Sequence, residues 1–235
     1  MKTTAVIPAA GTGVRMGKDR AKQFLDFDGR PLLAVTLEAF QHISLIEGII
    51  LVVPPGGVED CRKAIVEPYG LTKVKKVVEG GRRRQDSVRL GIEATGGDSE
   101  LILIHDGVRP LISPGLIERV VAEGTRERAV ITALAAKETV KEVTEEGFVK
   151  RTYDRRRVWM VQTPQVFRYE DIHAAHQRAF REGWAEVTDD ALLIERVGIP
   201  VKVIEGSEDN IKVTTPHDMA LARFLWRKNA TDDRH

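Results

Sequence analysis

Residues 8–22 combine Gly11, Gly13 and Gly17 with the cations Arg15 and Lys22, directly after an apolar run that ends at Pro8. Glycine lets backbone N–H groups turn toward one anion without obstruction by a Cβ, and cations complete such a cage. The chemistry implied is the holding of a polyphosphate. Two common devices are excluded by spacing. A P-loop needs G-x-x-x-x-G-K-[ST], which is absent. A dinucleotide fingerprint needs G-x-G-x-x-G, and here the third glycine comes one residue late. Without its cations the cluster would fit a tight strand-to-helix turn as well as a phosphate site.

Four further segments carry candidate chemistry. The run Leu101–His105 ends in Asp106, followed by Gly107, Val108 and Arg109. An acid at a strand's carboxyl end can hold a Mg²⁺ that bridges nucleotide phosphates, and one carboxylate suffices because Mg²⁺ keeps several waters. The alternative is that Asp106 caps the turn and pairs with Arg109. His105 reads as a packed strand-end histidine rather than a base. In Gly80-Gly81-Arg82-Arg83-Arg84-Gln85-Asp86-Ser87 the glycine pair permits close approach of a base or ribose. Ser87 can donate to a ligand or serve the helix start. Arg155, Arg156 and Arg157 could solvate a loop or grip phosphate with a planar fork. Thr188 or Asp189 fits a helix N-cap.

The elements that must position these residues alternate. Strand-like runs cover Thr4–Pro8, Gly48–Val53, Lys73–Val78, Leu101–His105, Ala129–Leu134 and Val201–Ile204. Helix-like segments cover Pro31–His42, Val58–Glu67, Arg83–Ala94, Gly115–Thr125, Tyr169–Arg181, Asp189–Val197 and Pro216–Lys228. The alternation predicts an α/β, Rossmann-like, doubly wound fold: a mostly parallel sheet with helices on both faces. Ligands on such sheets lie beyond the carboxyl ends of strands, where these motifs begin. The stretch from Thr139 to Val161 departs from the pattern. Two β-prone runs flank Glu145-Glu146-Gly147, predicting a protruding β-hairpin arm. A lone hairpin is marginal in water, so it should pack on its own domain or on another subunit. The expected organisation is a single domain over 1–228, containing the arm at 137–161, and a polar tail at 229–235.

Composition sets the remaining bounds. The 235 residues are 42% hydrophobic and 30% charged, enough for one domain with a full core. A formal charge of +1 supplies no global field for nucleic acid or an anionic membrane, so clustered arginines suit a small anionic ligand better. The single cysteine, Cys61, excludes an internal disulfide and reads as a structural thiol. No apolar run approaches a membrane span and no cleavable signal precedes the first strand, so a cytoplasmic location is expected.

Ala9-Ala10-Gly11-x-Gly13-x-Arg15-Met16-Gly17, with Lys22 downstream, resembles the signature of sugar-nucleotide pyrophosphorylases and related nucleotidyltransferases. Within that superfamily the chain is most similar to the 2-C-methyl-D-erythritol 4-phosphate cytidylyltransferases, from about Thr3 to Leu225. The resemblance implies CMP transfer from CTP to a polyol phosphate, with Mg²⁺ or another divalent cation. It implies that Arg15, Lys22 and Lys212 are catalytic. Ala9, Ala10, Gly11, Gly13, Gly81 and Ser87 would bind the nucleotide. Asp106 would be the metal-associated acid, and Arg109, Thr139, Arg155, Thr163, Thr188 and Asp189 would face the acceptor. It further implies a homodimer in which the arm carries Arg155 into the neighbour's site. A ribitol 5-phosphate cytidylyltransferase would share most of these motifs, whereas a catalytically silent nucleotide-binding module would be expected to lose Lys22, Asp106 or Lys212, all of which are present.

Overall fold

The computed structural model describes residues 1–11, 24–185 and 187–232. Gly13, Arg15 and Lys22 therefore lie outside the described residues. A seven-stranded sheet organises the molecule. Its strands are β1 (Thr3–Pro8), β4 (Ile46–Val53), β5 (Val74–Glu79), β6 (Leu101–Ile104), β7 (Ala129–Ala135), β10 (Trp159–Arg168) and β11 (Lys202–Glu205). The spatial order is β11-β7-β10-β6-β1-β4-β5. All neighbours pair in parallel except β10, which runs antiparallel to both β6 and β7. The expected α/β fold is therefore present, with one reversed strand near the middle.

Both faces of the sheet are covered, so the central strands are continuous Val, Ile and Leu runs rather than alternating ones. On one face α1 (Leu32–Gln41), α2 (Val58–Cys61) and α4 (Pro114–Gly124) bury Leu33, Leu37, Cys61, Ile117 and Val120 against Ile7, Leu51 and Leu103. On the other, α3 (Arg84–Ala94), α5 (Tyr169–Arg181) and α6 (Ala191–Arg196) bury Val88, Ile92, Ile172 and Ile194 against Val6, Val52 and Ile104. Gly91 lets α3 lie flat on this face, because a Cβ there would meet Val6 at 2.5 Å. A third cluster packs α7 (Pro216–Asp232) over Phe27, Leu32 and Val35. Phe27 belongs to a small hairpin of β2 (Asp26–Phe27) and β3 (Arg30–Pro31).

Several boundaries differ from the sequence expectation. The segment after Val58 becomes a π-helical turn at Arg62–Val66 instead of one continuous α-helix. The last helix extends to Asp232, taking in the first residues of the expected polar tail. β10 was not anticipated. Its middle, Gln162-Thr163-Pro164-Gln165, breaks strand alternation, and the sheet absorbs the proline by a register shift between Val161 and Gln165.

The arm is a hairpin as expected, built from β8 (Lys141–Val143) and β9 (Val149–Thr152). Gly147 closes its turn at φ 86°. Because β10 is reversed, the chain leaves β7 at the carboxyl end of the sheet, forms the arm, and returns at that same end.

Candidate active site

Two strand ends create the site. β1 has β4 on one side and β6 on the other, so the connections leaving it diverge there. A crevice forms at such a switch point, outside the strands' carboxyl ends. β1 feeds Ala9, Ala10 and Gly11 into it, and β6 feeds His105 and Asp106. Backbone bonds fix both exits: Ala9 N donates to Val52 O at 2.7 Å, His105 N to Val6 O at 3.1 Å, and Gly107 N to Pro8 O at 3.2 Å. The turn after β5 closes on the same place. A Cβ on Gly80 would meet Ala10 Cβ at 2.5 Å and Ser87 Oγ at 2.7 Å, and one on Gly81 would meet Asp86 Cβ at 2.4 Å. The glycine pair thus lets the β5–α3 turn press against the start of the phosphate-type loop.

Asp106 is the centre of charge. Its side chain is 8% exposed and three cations converge on it. Lys212 Nζ lies 2.8 Å from Oδ2, Arg84 Nε 3.1 Å from Oδ1, and Arg109 Nε 3.6 Å from Oδ2. Burial alone would push this carboxyl up, but Arg84, Lys212 and Arg109 outweigh it and hold it well below the usual carboxylate range. The pairing with Arg109 raised as an alternative is therefore present, as one of three. Burial dominates at Arg109 and lowers its pKa despite Asp106; its Nη1 donates to Asn210 O at 2.7 Å.

Lys212 does not lie on a strand. It sits in an unpaired extended segment after β11, tied down where Val213 N donates to Val108 O at 2.9 Å. Asn210 and Thr214 on either side are held as well, by Arg109 and Asp218, and 40% of the lysine's side chain stays exposed.

Thr163 sits in the register shift of β10. Its Oγ1 accepts from Asp106 N at 3.1 Å and lies 3.1 Å from His105 Nδ1. The other ring nitrogen, Nε2, lies 3.2 Å from Arg109 O. A carbonyl only accepts, so Nε2 carries the proton and Thr163 donates to Nδ1. Burial pushes the His105 pKa down to about 4. The imidazole is buried with both nitrogens engaged and braces the turn, the packed strand-end histidine expected from sequence.

The other expected residues are more dispersed. Ser87 is buried, accepts from Gly81 N at 3.2 Å and donates within the turn. Asp189 receives Leu192 N at 3.2 Å, serving the start of α6, and Gln165 Nε2 at 2.9 Å. Thr188 is exposed beside it. Thr139 and Arg155 are exposed at the root of the arm, where Arg155 Nη1 donates to Lys137 O at 2.6 Å.

Sequence reasoning gave no firm role to Arg84, and none to Asp190, His176 or Asn210. Arg84 joins Asp106 to Asp190, its Nη1 donating to Asp190 Oδ2 at 2.8 Å. Burial opposes its charge, but Asp190 and Asp106 raise its pKa. The spacing Gly81-x-x-Arg84-x-x-Ser87 was the available signal for it. Asp190 and His176 left none, because their partners are remote in sequence.

The donor set can be tested against magnesium. Among the described residues no three His, Cys, Asp or Glu side chains gather as a metal cage. One ionised carboxylate at a switch point suits Mg²⁺ that arrives with nucleotide phosphates and keeps its waters. Asp106 fits that role, although both its oxygens are shared with cations.

Comparison with known proteins identifies the family. Residues 3–228 match the family described as IspD, 2-C-methyl-D-erythritol 4-phosphate cytidylyltransferase. The protein of that name from Desulforamulus reducens is 47% identical over 226 residues, covering 96% of each chain. The crystal structure of 4-diphosphocytidyl-2C-methyl-D-erythritol synthase from Anaerococcus prevotii superposes with a TM-score of 0.84 at 34% identity, covering 96% of each chain. The structure of 2-C-methyl-D-erythritol 4-phosphate cytidylyltransferase from Thermus thermophilus superposes with a TM-score of 0.77 at 34% identity, covering 97% of this chain and 100% of that one.

Proposed function

Since this chain belongs to the 2-C-methyl-D-erythritol 4-phosphate cytidylyltransferase family, we propose that the cluster around Asp106 is the centre of its CMP transfer. CTP and 2-C-methyl-D-erythritol 4-phosphate are the substrates. 4-Diphosphocytidyl-2-C-methyl-D-erythritol and pyrophosphate are the products. The observation that carries the assignment to this place is the convergence of Arg84, Arg109 and Lys212 on one carboxylate at the switch point.

An oxygen of the acceptor's phosphate forms a bond to the α-phosphorus of CTP, and the bond from that phosphorus to pyrophosphate breaks. The attacking oxygen is already an anion near neutral pH, so no Ser, Cys or His nucleophile and no general base is required. The neutral, fully engaged His105 agrees with this. Catalysis then rests on positioning two polyanions in line and offsetting their charge.

Lys212, with Arg15 and Lys22 from the loop outside the described residues, offsets charge on the transferring phosphoryl group and the pyrophosphate. Amides from Ala9 to Gly13 hold the phosphates. Gly81 and Ser87 form the turn that receives cytidine. Arg109, Thr139, Thr163, Thr188 and Asp189 orient the acceptor, together with Arg155 of a second copy of the chain. Asp106 would hold Mg²⁺, which supplies electrostatic neutralisation of the nucleotide phosphates when bound. The acceptor must therefore bind across a subunit boundary.

A homodimer through the arm is supported by its surface. Phe148 is 73% exposed, and Val143, Val149 and Met160 are also bare. Side chains so apolar on a projecting hairpin favour burial against a partner. The catalytic unit is one domain over 1–228, with the arm at 137–161. Among the described residues no helix is long and apolar enough to cross a membrane, and a CTP substrate favours a cytoplasmic location.

The test is pyrophosphate release from CTP and Mg²⁺, with 2-C-methyl-D-erythritol 4-phosphate and ribitol 5-phosphate as parallel acceptors. Release with the first is expected. Release only with ribitol phosphate, or CTP binding without release for either acceptor, would overturn the assignment.

A further inference from the structure

Behind the site lies a buried group that the proposed chemistry does not use. Asp190 is 1% exposed, at the start of α6. His176, on α5 and equally buried, brings Nε2 to 3.2 Å from Asp190 Oδ1. The other carboxylate oxygen holds Arg84 Nη1 at 2.8 Å. Burial would push the Asp190 carboxyl up, but Arg84 and His176 bring it down, so it stays an anion. Burying an ionised carboxylate costs more than packing an apolar residue of similar size, so its presence asks for a role beyond stability.

That role follows from the shape of a guanidinium. Arginine closes readily onto one carboxylate with two parallel N–H bonds. Such a closure on Asp106 would occupy both of its oxygens. Here Asp190 retains Nη1, and Arg84 reaches Asp106 with Nε alone, on Oδ1. Oδ2 is thereby left to Lys212 at 2.8 Å, with Arg109 Nε more distant at 3.6 Å. Among the described residues two bonds hold the fork, Nε on Asp106 and Nη1 on Asp190, and the second turns Nη1 away from Asp106.

We infer that Asp190, with His176 against its other oxygen, is a positioning residue that acts through Arg84 to set the orientation of the Asp106 carboxylate. The inference rests on the functional reading of the Asp106 cluster given above. Asp190 touches neither substrate nor Asp106. Its replacement should therefore change turnover more than nucleotide affinity, and only while Arg84 is present.

A double-mutant cycle on the full chain tests this, with kcat and KM from pyrophosphate release, CTP affinity from calorimetry and melting temperature as a fold control. Asp190→Asn is expected to lower kcat about 10- to 100-fold, the range for partners one layer behind a site, with CTP affinity within about threefold. Asp190→Glu, which keeps the charge, should recover most of that loss. In an Arg84→Met background, Asp190→Asn should cost less than about twofold more. Asp190→Asn with wild-type kcat, or losses that multiply across the cycle, would overturn the inference. Should Asp190→Asn fail to fold, His176→Gln replaces it in the same cycle, with about a three- to tenfold loss expected that vanishes beside Arg84→Met. His176→Gln at wild-type kcat would count against the inference. A folded Lys212→Ala protein with wild-type turnover would instead overturn the functional reading itself, which separates the two failures.

Discussion

The Asp106 cluster and the arm use the same charged residue types in opposite surroundings. Around Asp106, a carboxylate with 8% of its side chain exposed gathers three cations supplied by α3, the β6–α4 turn and the segment after β11. Along the arm, Lys150 pairs with Glu142 and Arg156 with Asp154, each pair local in sequence and open to water. Buried charges interact strongly and need fixed geometry, whereas exposed pairs are screened and add little. Ion pairs therefore define a chemical centre in the first region. In the second they lie in water beside exposed apolar side chains such as Phe148 and Val149.

If the contrast is right, breaking the buried cluster should have the largest effect. Asp106→Asn would leave three cations facing a neutral side chain. It should abolish turnover and destabilise the fold by about 2–4 kcal/mol, somewhat below the cost of a fully buried pair because Arg84 and Lys212 keep contact with solvent. Chemical denaturation and pyrophosphate release measure both. An Asp106→Asn protein with normal stability would mean that the cations were never paired to it.

Acid sharpens the comparison next. Asp106 and Asp190 are held below their unfolded carboxyl values, near 3.9. Groups lowered on folding stabilise above the unfolded pKa, and that stability is lost as pH falls through the folded one. Their contribution should be complete above about pH 4 and decline only in stronger acid. His105, lowered to about 4, follows the same sign at higher pH. Its neutral form stabilises fully above about pH 6.5, and the benefit is lost as pH falls toward 4. Denaturation curves between pH 3 and 8 should show two acid losses, and His105→Gln should flatten the upper one. An unchanged upper slope in His105→Gln would refute that assignment.

On the arm, Phe148→Ser should weaken self-association measured by sedimentation at micromolar concentration, while the chain's own core stays intact. Unaltered association would remove this side chain from the interface. The smallest effect belongs to Lys150→Ala, which should leave the melting temperature unshifted because Glu142 and Lys150 are solvated with or without each other.

Much of this molecule was legible in the sequence wherever the signal was local. The βα alternation, the arm around Gly147 and the packing of His105 at a strand end each came from short stretches. β10 did not, because Pro164 interrupts it and only the register shift reconciles proline with a central position. Asp106 and Lys212 could be named as site residues, but not as partners, since they lie on different segments. The Arg84–Asp190–His176 line was invisible for the same reason. Tertiary proximity, not residue type, makes Asp190 matter, and its neighbour Asp189 looked the better candidate.

The most direct test of the central claim is the steady-state rate of pyrophosphate release by Lys212→Ala, beside wild type, from CTP and 2-C-methyl-D-erythritol 4-phosphate. Lys212 is partly exposed, so the variant should fold, and its melting curve verifies that. A loss of about 100-fold or more in kcat with the fold intact is predicted for a cation that offsets transition-state charge. A folded variant that turns over at the wild-type rate would contradict the account.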